Sequence, residues 1–437
     1  MEQEIAVDRA ARTAMHCPPA ESRKPTFREV FAVSEFRALW LAQLLSVVGD
    51  QLARLAMTVL VWDRTHSALW TAVTYAVTFL PWVIGGLALS GLADRLPRRQ
   101  VMVFCDLARV VLVCLMALVS LKAPPDAALW IMVALLFVVT LLDSPFKSAR
   151  SATLPDVLPG ERYVLGIAVT QTTLQVGMVA GFALGGLMVA VIGVRPALLA
   201  DAATFAASAL LVQFWVRQRP AAANRAAGSS SSLAEMAAGV RLVFGDRRLR
   251  TLTLLGWLVA FYVVPMGLAA PYAAGLHAPF PIPISTGLVF AAGPFGTALG
   301  AVVFGRMVPQ ASRQRWMGPL AVGACGLLLF CWLQPGLLGA LLIIAASGAC
   351  ASYQLAANAA FVAAVPPERR GQAFGLANGG MQVAQGLWII LAGALAASRV
   401  VTPATVIAIS GGLGAILAAA LATSWRRRTA HHGASLR

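Results

Sequence analysis

Five polar side chains, Gln43, Ser46, Asp50, Arg54 and Thr58, punctuate the apolar stretch FRALWLAQLLSVVGDQLARLAMTVL. Their spacing places them along one face of a helix whose other faces are mostly Leu, Val and Ala. A charge at the centre of a bilayer costs about 2.5–3.5 kcal/mol on insertion scales, so a face with two charges must turn inward. Two chemistries fit. Asp50 and Arg54, four residues apart, can form an ion pair that holds a bundle together. Alternatively Asp50 takes up and releases a proton as that pair opens, because burial disfavours its charge while the cation favours it. Asp201, in ALLADAATF, is a second proton-coupling candidate. From Asp246 onward the only further acid is Glu368, so a carboxylate inside the membrane must be Asp50, Asp106, Asp143 or Asp201. Asp143 is expected near the end of its helix, capping it or pairing with Lys147.

Uncharged polar groups dominate the second half. Asn378, Gln382 and Gln385 share one helix face, and Tyr353, Gln354 and Asn358 cluster on the preceding span. With Trp257 and Tyr262, and with Gln43 and Ser46 from the first span, they are candidates to line an amphipathic cavity. Such a lining suits bulky, partly apolar molecules better than sugars or small ions. For each residue alone, an interhelical hydrogen bond serves equally well.

The elements that must position these groups follow from hydropathy. Of the 437 residues 59% are hydrophobic and 12% charged, against about 25% charged in soluble domains. Twelve stretches are long enough, at about 20 apolar residues each, to cross a bilayer as helices. They are expected at 36–62, 68–92, 100–121, 127–146, 164–192, 195–216, 250–274, 283–306, 316–334, 337–361, 371–396 and 402–424. The reading is an all-α integral membrane protein with a tail at 1–35, a six-helix bundle at 36–216, a linker at 217–249, a second bundle at 250–424 and a tail at 425–437. The first tail has no apolar core ahead of a cleavage site, so no signal peptide is expected.

The net charge of +16 reports orientation rather than nucleic-acid binding. With the N-terminus in the cytoplasm, 28 of the 34 Lys and Arg fall in cytoplasmic segments or at the cytoplasmic ends of spans, as the positive-inside rule requires. Both termini are then cytoplasmic. The linker contains RAAGSSSSL, and Leu233, Met236, Ala237, Val240 and Phe244 recur within it at helical spacing, which fits either a surface amphipathic helix or a disordered tether. The halves also echo each other. Pro-x-Glu-Arg occurs at Pro159, Glu161 and Arg162, and again at Pro366, Glu368 and Arg369, after the fourth helix of each half. Parallel repeats around a central cavity are a transporter architecture.

Between the second and third spans lies SGLADRLPRR, Ser90 to Arg99. It resembles the signature loop of the major facilitator superfamily, Gly-x-x-x-Asp-Arg-x-Gly-Arg-Arg/Lys, with matches at Asp94, Arg95, Arg98 and Arg99. Ser90 and Pro97 replace the two glycines. The resemblance implies a cytoplasmic gate latching the two halves in the outward-facing state, formed by these four residues with Asp106 and Arg109 of the next helix. The first half resembles in particular the branch holding the enterobactin exporter and macrolide efflux proteins. In the fifth span, Gly177, Gly181, Gly185 and Gly186 of GMVAGFALGG resemble the antiporter motif Gly-x-x-x-Gly-Pro-x-x-Gly-Gly, with Phe182 at the Pro position. The fourth span is expected to hold no arginine, the residue the family associates with proton transfer in many drug antiporters.

These features imply an inner-membrane, multi-pass monomer. It would export an amphipathic antibiotic, siderophore or other natural product by proton-coupled alternating access, with the proton gradient as its energy source and no cofactor. Import of a solute and lysophospholipid flipping are the alternatives within the fold. The five histidines all fall in tails or loops, and neither a metal-ligand spacing nor a nucleophile motif or phosphate loop occurs, which argues against an enzyme.

Overall fold

A computed structural model of the chain describes residues 26–81, 84–85, 96–122, 125–219, 232–398 and 400–434. The described residues form helices and turns, with no strand among them. The membrane helices are α1 (Ser34–Thr65), α2 (beginning with Ala68–Ala76), α3 (Arg98–Lys122), α4 (Pro125–Val157), α5 (Glu161–Ile192) and α6 (Val194–Trp215). In the second half they are α7 (Arg247–Trp257, continued by short helical pieces to Gly275), α8 (Ile282–Met307), α9 (Arg313–Gly326), α10 (Gly336–Cys350 and Tyr353–Ala364), α11 (Arg370–Ala397) and α12 (Pro403–Ala434). Eleven helices among the described residues are long and apolar enough to cross a bilayer. A twelfth crossing lies between Ala68 and Arg98, because α1 and α3 start on the same face. That face, where Ser34 opens α1, is the near face; the opposite one is the far face.

Local chemistry sets the turns. Ser67 caps α2 by accepting from the Trp70 amide at 3.5 Å, and His66 ends α1 in the left-handed region. Gly193 joins α5 to α6 at φ 85, a conformation that costs a residue with a Cβ but not glycine. Pro265 and Pro271 lack an amide hydrogen, and α7 beyond Trp257 is broken into pieces of four to seven residues. Both Pro-x-Glu-Arg segments open a helix, at the start of α5 and in the turn Pro367–Arg369 before α11.

The fourth span departs most from expectation. Instead of ending at 146, α4 runs on to Val157 through Pro145 and Pro155. Asp143 is therefore deep in the helix rather than near its end, and Lys147 and Arg150, which the sequence reading assigned to the cytoplasm, lie within a membrane-crossing helix. Arg150 lies seven residues inside the near-face end of this helix. Hydropathy ended the span at its first charges because it weighs every side chain as if it faced lipid, whereas these side chains face protein and a cavity.

In the first half α1 packs against α2, α5 and α6, while α3 packs against α4 and α6. In the second, α7 packs on α10, α11 and α12, α8 on α10, and α9 on α10 and α12. The principal contacts between these sets are α5 with α8, α2 with α11, and the far-face end of α7 with α1 and α2. Toward the near face the sets diverge: Gly371, Gly375 and Gly379 of α11 meet open space, while Gly386 and Gly393 on the same stripe approach α2. Among the described residues, the contacts between the two sets gather toward the far face. The linker helix Ser232–Gly245 docks on this near side, where Gly239 lies against the backbone of Gln372 on α11.

Candidate transport site

The most concentrated chemistry is a chain of alternating charges inside the first half. Arg109 of α3 has no exposed surface and lies between the rings of Phe146 and Phe205, 5.5 and 5.1 Å from their centroids. Its Nη2 stands 3.0 Å from Asp143 Oδ1 on α4, and Asp143 Oδ2 stands 2.5 Å from Lys147 Nζ. One turn before Arg109, Asp106 Oδ1 is 3.8 Å from Arg109 Nη1, and its Oδ2 accepts a 2.6 Å hydrogen bond from Ser208 of α6. Arg109 also donates to Ser46 Oγ at 3.5 Å, which ties the group to α1. Buried charges persist only with partners, and here acids and cations alternate across α3 and α4.

Asp50 borders this group. The sequence allowed an Asp50–Arg54 pair, but no such pair within 4.0 Å forms. The guanidinium of Arg54 lies instead over the Tyr75 ring of α2, 5.7 Å from its centroid. The strongest charged neighbours of Asp50 are Asp143 and Arg109. Spacing along one helix identified a neighbour in sequence, whereas the partners come from α3 and α4. Asp201 is fully buried at the α1–α6 contact, where Gly49 leaves room for its carboxyl. Thr204 Oγ1 donates to the Asp201 carbonyl at 2.8 Å, and Asp201 Oδ2 has no partner among the described residues.

The expected gate residues fall in two places. Arg98 donates to the Ala152 carbonyl at 2.6 Å and pairs with Asp156 at 2.8 Å, while Arg99 donates to the Val216 carbonyl at 3.4 Å. Both thus clip the start of α3 to the near-face ends of α4 and α6. Asp106 and Arg109 lie two to three turns deeper, in the charge chain. Asp94 and Arg95 lie outside the described residues.

A cavity of about 380 Å³ opens between α1, α4 and α5, with Asp143, Lys147 and Arg150 on one wall and Gln43 and Ser46 on another. Gln43 and Lys147 lie nine and ten residues inside the near ends of α1 and α4, a depth of about 15 Å. These helices of 32 and 33 residues extend about 50 Å, so the cavity lies in their near-face halves. The second-half candidates do not line this cavity. Trp257 Nε1 donates to the Ala377 carbonyl of α11 at 2.9 Å, and Tyr353 Oη, fully buried, donates to the Leu255 carbonyl of α7 at 2.8 Å. Gln354 donates to Tyr262 Oη at 2.5 Å, and Gln385 to Gln382 at 3.0 Å. Asn358 and Asn378 are exposed. The expected Asp143–Lys147 pair forms, but hydropathy gives no sign that Lys147 and Arg150 line a cavity; the four-residue rhythm Asp143, Lys147, Ser151 is the available signal.

The glycines of α5 divide their work. Gly177, Gly181 and Gly185 face α1, whereas Gly186 meets Gly287 of α8, so close that a Cβ on Gly287 would stand 2.6 Å from the Phe182 carbonyl. At the position where the antiporter motif has Pro, Phe182 stacks on Phe290 of α8 with centroids 4.7 Å apart, and Tyr75 of α2 lies 5.5 Å from the same ring. These three aromatics close the far face above the charge chain.

Twelve membrane crossings, a cavity among the first-half helices and a buried charge chain beside it define a membrane transporter. Residues 39–349 match the family model of the Major Facilitator Superfamily, and the chain belongs to that family, one of transporters and not of enzymes. It is 24% identical over 322 residues to the MFS-type transporter YkuC of Bacillus subtilis, an alignment covering 69% of this chain and 71% of YkuC. It is 27% identical over 231 residues to the multidrug efflux pump Tap of Mycobacterium tuberculosis, covering 52% of this chain and 54% of Tap. Among solved structures the nucleoside transporter NupG superposes with a TM-score of 0.70 at 15% identity, over 88% of this chain and 98% of that one.

Proposed function

We propose that the chain exports a bulky amphipathic small molecule from the cytoplasm in exchange for protons, the near face being cytoplasmic and the membrane the inner one. The observation that carries the reading is the position of Asp50. It is half-buried midway along α1, it lacks its expected arginine, and Asp143 and Arg109 are among its charged neighbours. A carboxylate there changes the charge balance of the whole chain when it binds a proton. Similarity to the efflux pump Tap supports export. The two halves rock about the α5–α8 and α2–α11 contacts, exposing the cavity to each face in turn. A membrane potential of 100 mV supplies about 2.3 kcal/mol per proton, and a tenfold gradient of a neutral substrate costs about 1.4 kcal/mol. One proton therefore sustains more than tenfold accumulation.

The test is transport in inverted membrane vesicles energised to an acidic, positive interior. Export by proton exchange appears as substrate accumulation inside the vesicles, abolished by a protonophore. Accumulation only under the opposite gradient would establish import, and gradient-independent movement of lysophospholipid between leaflets would establish a flippase.

A further inference from the structure

We infer that the cavity between α1, α4 and α5 recognises an anion, and that the transported molecule is an amphipathic carboxylate carrying a hydrogen-bond donor beside its acid group. This rests on the transporter reading and names the substrate class for that site. The argument begins with two groups whose polar atoms are unused. Gln43 is only 4% exposed, and neither its Nε2 nor its Oε1 has a partner. Arg150 is half-buried on the opposite wall, and no hydrogen bond or ion pair engages it among the described residues. Buried polar groups are ordinarily satisfied, so Gln43, unpartnered in the same cavity as an Arg150 without an ion pair, points to a ligand that completes both.

The charge of that ligand follows from its surroundings. The wall carries Lys147, Arg150 and one acid, Asp143. That acid is already shared between Lys147 and the buried Arg109. Of the charged side chains that line the cavity, Arg150 is the one without an ion pair, and its planar fork of N–H groups matches the two oxygens of a carboxylate. A cationic drug would meet Lys147 and Arg150 on this wall, where the one acid of the lining, Asp143, is already paired. Gln43 offers one acceptor as well as two donors, so it asks for a donor on the ligand next to the acid. The body of the ligand would lie against Trp40, Phe146 and Tyr163. The Trp40 ring is held in place by its own 2.6 Å hydrogen bond to Thr173. A volume of about 380 Å³ is within the range of small-molecule sites.

Hydroxynaphthoate and its neutral carboxamide differ only in the acid group, and their affinities for the purified full chain in nanodiscs test the inference. The acid should bind at least about tenfold more tightly than the carboxamide, the scale of a charge-assisted hydrogen bond. Arg150→Gln should remove that preference while carboxamide binding persists, Arg150→Lys should keep part of it, and Gln43→Leu should weaken both ligands alike. Equal affinity of the two ligands for the unmodified chain, or an undiminished preference in Arg150→Gln, overturns the anion site. Lysophosphatidylglycerol and lysophosphatidylcholine form the second arm. An Arg150-dependent preference for the former, with none between the naphthyl ligands, overturns the carboxylate in favour of a lipid phosphate. Binding is read without a gradient, so a preference that survives alongside absent vesicle export refutes the export reading and leaves the anion site standing.

Discussion

Arg109 Nη2 on α3 lies 3.0 Å from Asp143 Oδ1 on α4, and neither residue is adjacent in sequence to the other or to Asp50, with which both interact electrostatically. The contact fixes where a proton-linked event can act. A proton on Asp50 alters the field at Arg109, and Arg109 connects to α1 through Ser46, to α4 through Asp143 and to the Asp106–Ser208 bond on α6. Four helices of the first half thus share one electrostatic group, which borders the cavity at Ser46 and Asp143.

Asp143→Asn removes the carboxylate from both Arg109 and Lys147 and leaves a fully buried guanidinium short of a partner. Breaking one side of a buried pair costs about 3–5 kcal/mol. Thermal unfolding in detergent should show a clear loss of stability, and adding Arg109→Met should restore part of it. A single variant as stable as the parent would mean that Asp106 alone suffices for Arg109.

Asp50→Asn keeps the volume of the side chain and removes the ionisable group. In proteoliposomes, uphill efflux driven by a proton gradient should be lost, whereas substrate binding and downhill exchange persist. Undiminished uphill transport would move the coupling role to Asp201, whose own Asn variant is then the one to measure.

Gly287→Leu places a branched side chain where Gly287 meets the Phe182 carbonyl and Gly186. The far face should no longer close, and spin labels on the far ends of α5 and α8 should report longer distances. Phe290→Ala, which removes the ring stacked on Phe182, should shift the same distances less. Unchanged distances in both variants would show that α2 and α11 alone hold the face closed.

Arg98→Ala breaks a 2.8 Å pair with Asp156, but the two side chains are 18% and 46% exposed. Pairs that water reaches contribute about 0–1 kcal/mol. Its unfolding midpoint should therefore stay close to that of the parent, in contrast to Asp143→Asn. A loss as large as that of Asp143→Asn would assign Arg98 a structural weight that its exposure does not suggest.

Much of this organisation is written in one dimension. Hydrophobic runs interrupted by loops specify helices because lipid leaves no other partner for backbone groups, and among the described residues the helices begin and end near the expected limits except at the ends of α4 and α12, which run on to Val157 and Ala434. The inward orientation of the Gln43 to Thr58 face also follows from sequence, since two charges on one helix cannot face hydrocarbon. Motif resemblance identified the family and the glycines of α5, whose close approaches need a residue without a Cβ.

Partnership was settled only by the fold. A helix displays its i and i+4 neighbours as a matched pair, so Asp50 and Arg54 read as a salt bridge. Packing instead presents Asp143 and Arg109 to the acid and an aromatic ring to the arginine. Lys147 and Arg150 read as cytoplasmic because hydropathy averages a residue over all directions, while the tertiary structure gives each side chain one direction. The sequence by itself determined which segments enter the membrane, which faces turn inward and which family the chain joins. Only the tertiary structure decided which charges neutralise one another and which remain available to a ligand, because electrostatic energy depends on distance across helices and not on separation along the chain.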